Sequence, residues 1–296
     1  MKNSSLQGGL LVALGAASYG MLTTFVKLAN AEGFTTFELS FAQYLIGFIG
    51  LAALDFALAQ RRQHKPKSVN KKSIRQLVLA GGTLGCTSLL YYFSVQFISV
   101  SIGIILLMQS VWIGVVIDAV IHKTKPGKRK LIAVAVVLIG TALATNLFFD
   151  DAQLDWRGMV LGFLAAVSYS ITIFATNRVG LELPTITRSK WMSLGGLLVV
   201  TVVSFPFLLQ SFHPGVMLKW GLILGLLGTV LPPLLLNAGM PKVNLGLGAI
   251  ITAVELPVAI LMAYALLGER VNAFQWTGVV LILAAVVLMN LKKINA

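Results

Sequence analysis

Long apolar runs alternate with short polar segments along the whole chain. A helix needs about 20 mainly apolar residues to cross a bilayer. We therefore predict an all-α membrane protein with ten transmembrane helices. Their approximate bounds are 8–29, 37–59, 75–96, 99–121, 130–148, 157–178, 187–209, 218–238, 243–267 and 272–291. The third and fourth predicted spans are separated only by a brief turn near Ser99.

The composition supports a membrane protein. Charged residues make up 11% of the chain and hydrophobic residues 57%, and the mean hydropathy is +0.88. A soluble domain carries about 25% charged residues. The charges are thus too few to build a water-facing surface around a fold of this size.

The basic residues predict how the chain is oriented. If the N-terminus is cytoplasmic, all but four of the 23 lysines and arginines lie on the cytoplasmic side, the exceptions being Lys27, Arg157, Lys219 and Arg270. This bias follows the positive-inside rule and places both termini in the cytoplasm. We expect a multi-pass protein of a bacterial inner membrane, with a retained N-terminal helix. The net charge of +13 then serves orientation at a lipid surface, and we expect no nucleic-acid partner.

The two halves of the sequence repeat each other. Residues 8–20 align with residues 158–170 at a spacing of 150, with six identities in 13 positions. Later the spacing settles at 145, where Gly103 pairs with Gly248. Because each half has five predicted spans, the second half enters the membrane from the opposite side. We predict two inverted repeats, at 1–149 and 150–296, an arrangement that suits alternating access.

Sequence motifs of catalysis are absent. The chain has no Walker loop, HExxH or GxSxG motif, and its one cysteine, Cys86, lies within an apolar run. We expect neither an enzyme nor a bound cofactor or metal.

Two ionisable residues are candidates for proton or charge coupling. Glu255 lies in the middle of the ninth predicted span, two residues before Pro257, where we expect the helix to bend. Its carboxyl either binds a substrate amine or a proton, or braces the helix break. Lys27 lies near the outer end of the first span. It either extends to the interface or meets a carboxylate of substrate or protein.

Several polar and aromatic residues lie inside the predicted spans. Gln109 and Trp112 share one helix face. A cavity of apolar and aromatic walls with a few polar anchors suits small organic molecules. Anchoring at the membrane interface is the alternative for any single Tyr or Trp. We predict a substrate cavity lined by Tyr19, Gln43, Tyr92, Gln109, Trp112, Tyr169, Trp191, Asn237 and Glu255.

These pieces resemble a known family. The glycine-rich first span that ends at Lys27, the run Gly225–Asn237, the segment Glu255–Pro257 and the ending Leu267–Arg270 are similar to the drug/metabolite transporter superfamily, specifically its EamA group. The sequence departs from that group's common pattern in having Tyr19 where Trp is common. The resemblance implies a central cavity between the halves and export of amino acids or related metabolites, as in aromatic amino-acid exporters.

We therefore expect a secondary transporter that exports small metabolites by alternating access. The alternatives are a non-transporting scaffold that organises membrane proteins or lipids, and a carrier of drugs, nucleotides or sugar derivatives. The expected partners are a small-molecule substrate and membrane lipid. The spans at 130–148 and 272–291 are apolar almost all round, which suits lipid or a homodimer contact equally.

Overall fold

The computed structural model describes residues 2–61, 71–98, 100–145 and 155–291, and these contain helices and loops but no strand. The all-α prediction is thus confirmed for this part of the chain; Ser99 lies outside it. The helices are α1 (Lys2–Ala31), α2 (Thr36–Arg61), α3 (Lys71–Ser94), α4 (Val100–Leu107), α5 (Ser110–His122), α6 (Lys128–Ala144), α7 (Trp156–Arg178), α8 (Thr185–Leu208), α9 (Pro214–Lys242), α10 (Leu245–Thr252), α11 (Glu255–Leu267) and α12 (Ala273–Leu291).

Eight helices of the described ranges are long and apolar enough to cross a membrane. The pairs α4–α5 and α10–α11 each count as one of these spans. The predicted fifth and tenth spans are shorter, because α6 has 17 residues and the apolar part of α12 covers Ala273–Met289. The chain is a multi-pass membrane protein. For α6 and α12, the two shorter helices, length alone does not establish that they cross the membrane.

Two spans are broken in the middle, and the breaks correspond between the halves. The proline ring of Pro257 cannot donate to the carbonyl four residues earlier, and the helix breaks at Ala253–Val254, as predicted. The first half has an unpredicted break at Met108–Gln109, with no nearby proline. Every bound of α4 and α5 lies 145 residues before its counterpart: Val100 and Leu245, Leu107 and Thr252, Ser110 and Glu255, His122 and Leu267.

The helix α9 is irregular along its length. It contains π-helical turns at Met217–Gly221 and Gly225–Val230, followed by Pro232 and Pro233. Two successive prolines remove two donors from the helix ladder, and the widened turns precede them. Gly225 lies against the backbone of α2, so the wide part of α9 packs directly on that helix.

Glycines let the main helix pairs approach closely. Gly81 of α3 faces the backbone of Met192 on α8, and Gly140 of α6 faces Gly278 of α12. The two largest apolar clusters of the described residues lie on either side of Tyr19, which packs against both. A space remains where these clusters meet.

Candidate functional site

A cavity lies between the two apolar clusters. It has about 870 Å³ of empty space, part of it continuous with the outside. Its walls come from α1, α2, α3, α4, α7 and α11, together with Met108 at the first helix break. The lining parts of α1 and α3 are nearer their C-terminal ends, and those of α2 are nearer its N-terminal end. The cavity therefore lies toward the end of the molecule that carries the loop at 32–35, which we call the loop end.

Tyrosines dominate the polar part of the wall. Of the six tyrosines in the chain, five line this cavity: Tyr19, Tyr44, Tyr91, Tyr92 and Tyr169. The rings of Tyr19 and Tyr169 meet edge to face, with centroids 6.5 Å apart. Those of Tyr91 and Tyr92 lie 6.1 Å apart. Membrane-protein tyrosines usually gather at the interfaces, so this cluster within the spans marks a specialised surface.

Glu255 is the only charged residue among those that line the cavity. It is the first residue of α11, directly after the helix break, and Tyr169 Oη donates to its Oε2 at 3.4 Å. Gly20 of α1 allows this arrangement, because a Cβ there would lie 2.9 Å from Val258 Cβ. The glycine brings α1 against the start of α11 and so fixes the depth of the carboxyl.

Five of the nine residues predicted from sequence meet at this cavity: Tyr19, Gln43, Tyr92, Tyr169 and Glu255. They come from five different helices. Gln43 Nε2 also donates to Thr229 Oγ1 of α9 at 3.4 Å. The cavity thus gathers residues that are up to 236 positions apart in the sequence.

Gln109 and Trp112 do not line the cavity, contrary to the prediction. Trp112 Nε1 donates to Gln109 Oε1 at 2.8 Å, so the two do share a face. Gln109 Nε2 in turn donates to the carbonyl of Ile105 at 2.9 Å. Their polar groups satisfy each other and the backbone at the unpredicted break between α4 and α5. That break explains why their face turns away.

Trp191 and Asn237 are also placed elsewhere. Lys190 Nζ lies over the Trp191 ring, 4.9 Å from its centroid. Asn237 is 1% exposed, and its Nδ2 donates to Ser189 Oγ at 3.1 Å. Neither residue lines the cavity: Trp191 is partly buried against a cluster drawn from both halves, and Asn237 is enclosed by its neighbours on α8.

Lys27 lies outside the cavity. It is exposed and forms an ion pair with Glu269, in the loop between α11 and α12. Of the three expectations for Lys27, the structure shows pairing with an acidic group of the protein.

The far end of the molecule is sealed by buried polar residues. Arg188 is one of the basic residues that the sequence assigns to the cytoplasmic side; in the structure it lies in α8 and is only 2% exposed. Its guanidinium donates to the carbonyls of Val179 at 3.0 Å, Asn237 at 2.8 Å and Thr176 at 2.7 Å. The charge-assisted bonds tie the C-terminal ends of α7 and α9 to α8.

Other bonds extend this seal. Asn177 Nδ2 donates to the carbonyl of Val243 at 3.1 Å. Asp55 accepts from Thr187 Oγ1 at 2.8 Å and from Lys190 Nζ at 2.5 Å. We call this set the polar layer; it consists of Asp55, Asn177, Thr187, Arg188, Lys190 and Asn237. In the sequence, charged residues this close to the end of a span resemble loop residues. Only their burial in the structure shows that they join helices.

The site offers no evident metal-binding set. Within the described ranges no group of three or more His, Cys, Asp or Glu side chains lies close enough to hold a metal ion. The arrangement can bind a small organic molecule, and Glu255 can exchange a proton or pair with a cation.

Comparisons with known proteins bear on the same fold. An uncharacterized transporter from Archaeoglobus fulgidus is 25% identical over 281 residues, which is 95% of each chain. A protein of known crystal structure superposes with a TM-score of 0.75 at 15% identity, over 98% of each chain, which shows a shared fold. The sequence model of the EamA-like transporter family matches residues 6–146 and 156–291. These two matches cover most of both halves, and the chain belongs to the EamA-like transporter family.

Proposed function

We propose that the protein is a secondary transporter that exports small metabolites, amino acids or related compounds, by alternating access through the tyrosine-lined cavity. One observation carries the proposal: the cavity lies toward the loop end of the molecule, whereas the buried side chains of the polar layer join the helices by hydrogen bonds at the opposite end. A carrier caught in one of its two facing states has this form. Membership of a transporter family supports it.

The proposed orientation follows from the basic residues. α6 and α12 would be the fifth and tenth spans, giving two inverted five-helix repeats with both termini in the cytoplasm of a bacterium. The polar layer would then face the cytoplasm, and the cavity would face outward. The broken spans α4–α5 and α10–α11 would act as hinges, because their breaks occupy corresponding positions in the two halves.

Glu255 would couple transport to protons. An ionised carboxylate within the membrane is costly unless it is paired. The transporter would therefore change conformation only when the Glu255 carboxyl is protonated or paired with substrate. The carboxyl would release its proton when it binds substrate, and release substrate when it binds a proton. A cycle that returns a proton for each substrate molecule then drives export against a concentration gradient.

The test is flux into proteoliposomes with labelled amino acids and amines, with and without a pH gradient. Wild type should show saturable flux that responds to the gradient, and Glu255→Gln should show flux without that response. Equal responses of both proteins would limit Glu255 to a structural role. Absence of saturable flux for every compound would contradict transport by this chain and favour a scaffold.

A further inference from the structure

Among the described residues that line the cavity, Glu255 supplies one carboxyl group, and none has a cationic side chain. At the loop end, Lys27 and Lys219 are exposed and paired with Glu269 and Glu32, and Arg157 and Arg270 are exposed and do not line the cavity. Neither lysine lines the cavity.

We propose that the cavity selects organic cations: protonated amines and quaternary ammonium ions on an apolar or aromatic body, in preference to free amino acids or carboxylates. The inference rests on the proposed transport function and narrows its substrate class. The transported substrates would then be amines that lack a free carboxylate.

The tyrosine rings favour a cation. An aromatic face is negative, and an ammonium group within about 6 Å of a ring centroid is attracted to it. Tyr19 and Tyr169 meet edge to face, and the Tyr169 hydroxyl contacts Glu255. A substrate nitrogen near the carboxyl would therefore also lie beside aromatic rings.

The hydroxyl groups of the wall point the same way. Thr23, Thr87 and Ser88 each donate to a carbonyl of their own helix, at 3.0, 2.7 and 3.3 Å respectively. A hydroxyl has one proton to donate, so these three present only acceptor lone pairs to a ligand. Such oxygens accept from an ammonium group but offer nothing to a carboxylate.

The amide of Gln43 is engaged as well. Its Nε2 donates to Thr229 Oγ1. The amide oxygen remains an acceptor. The remaining hydrogen-bond donors of the wall, the tyrosine hydroxyls and the second amide proton of Gln43, are neutral, and the one ionisable carboxyl of the wall, Glu255, can carry a negative charge.

A carboxylate would be poorly compensated here. Burying an anion without a cationic partner is costly. The N-terminus of α11 has a partial positive charge that attracts anions, but Glu255 already places its own carboxyl in that first turn. In its ionised form, the form that would bind a cation, Glu255 would repel a second carboxylate.

The experiment compares three ligands with the same ring and the same two-carbon spacer: phenethylamine, phenylalanine and 3-phenylpropionate. They carry a cation, a zwitterion and an anion. Binding to the full chain in lipid nanodiscs is measured by calorimetry, and each compound is then tested in proteoliposomes for competition with labelled phenethylamine. Phenethylamine should bind about tenfold or more tightly than the other two, given the size of cation–π and ion-pair contributions.

Variants distinguish the effect of charge at the cavity wall on ligand preference from an effect of misfolding. Glu255→Gln should remove the preference for the amine, whereas Glu32→Gln, at the same end but outside the cavity, should keep it. Thr23→Lys places a cation at the wall. It should lower the affinity for phenethylamine and raise the affinity for 3-phenylpropionate. If Glu255→Gln does not elute as a monodisperse protein, the Thr23→Lys result and the wild-type ranking decide the question.

The outcomes distinguish the two proposals. Saturable flux of phenylalanine or 3-phenylpropionate that exceeds that of phenethylamine would overturn the cation inference and leave transport standing. Binding and flux of none of the three compounds, nor of any amine or amino acid in the wider panel, would overturn both.

Discussion

The two ends of the molecule hold their helices together by different means. At the loop end, tyrosine rings line the cavity, and the Thr23 and Thr87 hydroxyls donate within their own helices. At the other end, the polar layer joins α2, α7, α8 and α9 by direct bonds, three of them from Arg188. Charge-assisted bonds in a dry interior are strong, so we expect the polar layer to hold its helices together more firmly than the cavity wall does.

This difference indicates that folding stability and transport depend on residues at different ends of the molecule. A substitution in the polar layer should cost folding stability, because it strands buried polar groups. A substitution at the cavity wall should leave stability nearly unchanged and alter transport. Substitutions at Arg188, Gly81, Tyr169 and Glu32 test this contrast, with effects expected to decrease in that order.

Arg188→Ala should cause the largest loss. Three carbonyls would lose their donor, and the free energy of unfolding should fall by about 3 kcal/mol or more. Arg188→Lys should recover only part of this, because one ammonium group cannot span three acceptors. Thermal unfolding in detergent measures the effect. Arg178→Ala, at an exposed arginine, is the control and should change little; equal losses would contradict the sealing role.

Gly81→Ala tests the contact between α3 and α8 near the polar layer. The added Cβ would collide with the backbone of Met192, and such overpacking costs about 1–3 kcal/mol. The adjacent Gly82→Ala is a matched control, because its Cβ would lie 3.5 Å from Val199 Cγ2, an ordinary contact. The comparison uses the same unfolding assay. If both variants lose the same stability, close packing at Gly81 is not the cause.

Tyr169→Phe probes the cavity wall. It removes one long hydrogen bond to Glu255, and we expect a loss of less than about 1 kcal/mol in stability. Because the hydroxyl contacts the carboxyl that would exchange protons, the dependence of flux on the pH gradient should shift. Flux at several external pH values measures the shift. An unchanged profile together with a large loss of stability would reverse the roles of the two ends.

Glu32→Gln should have the smallest effect on stability, and the effect should depend on pH. Hydrogen bonds from Lys219, and then from Trp220, lower the pKa of Glu32 below its ordinary value of 4.5. The stabilisation is therefore present above pH 4.5 and is lost as the pH falls through the lower pKa of the folded protein. The melting temperatures of wild type and Glu32→Gln should converge between about pH 5 and pH 3. Because the pair is exposed, added salt should shrink the difference.

The sequence predicted those features that follow from local chemistry. Hydropathy gave the long spans, and the proline rule gave the break before Glu255. The recurrence at 145 positions reappears in the bounds of the broken helices. The break at Met108–Gln109 was missed because no proline marks it. Its existence follows from tertiary packing that mirrors the second half.

The site was predicted in part for similar reasons. Polar residues deep in a span, such as Tyr19 and Glu255, are costly in lipid and therefore signalled an internal surface. The same signal does not separate the cavity wall from the polar layer: Asn237 was predicted to line the cavity, and the structure places it in the polar layer. Arg188 was missed because a charge near a span end looks like a loop residue. Its three carbonyl partners lie on segments that are distant in sequence.

Site-directed thiol labelling tests the central claim most directly. In a Cys86→Ser background, Thr87→Cys at the cavity wall is exposed to a membrane-impermeant maleimide from one face of the membrane at a time. Ala31→Cys at the loop end and Glu182→Cys before α8 serve as references for the two faces. The account predicts that Thr87→Cys reacts from the face where Ala31→Cys reacts, that Ser189→Cys behind the polar layer reacts from neither face, and that phenethylamine slows the reaction at Thr87→Cys. Reaction of Thr87→Cys only from the Glu182→Cys face, or from neither, would contradict it.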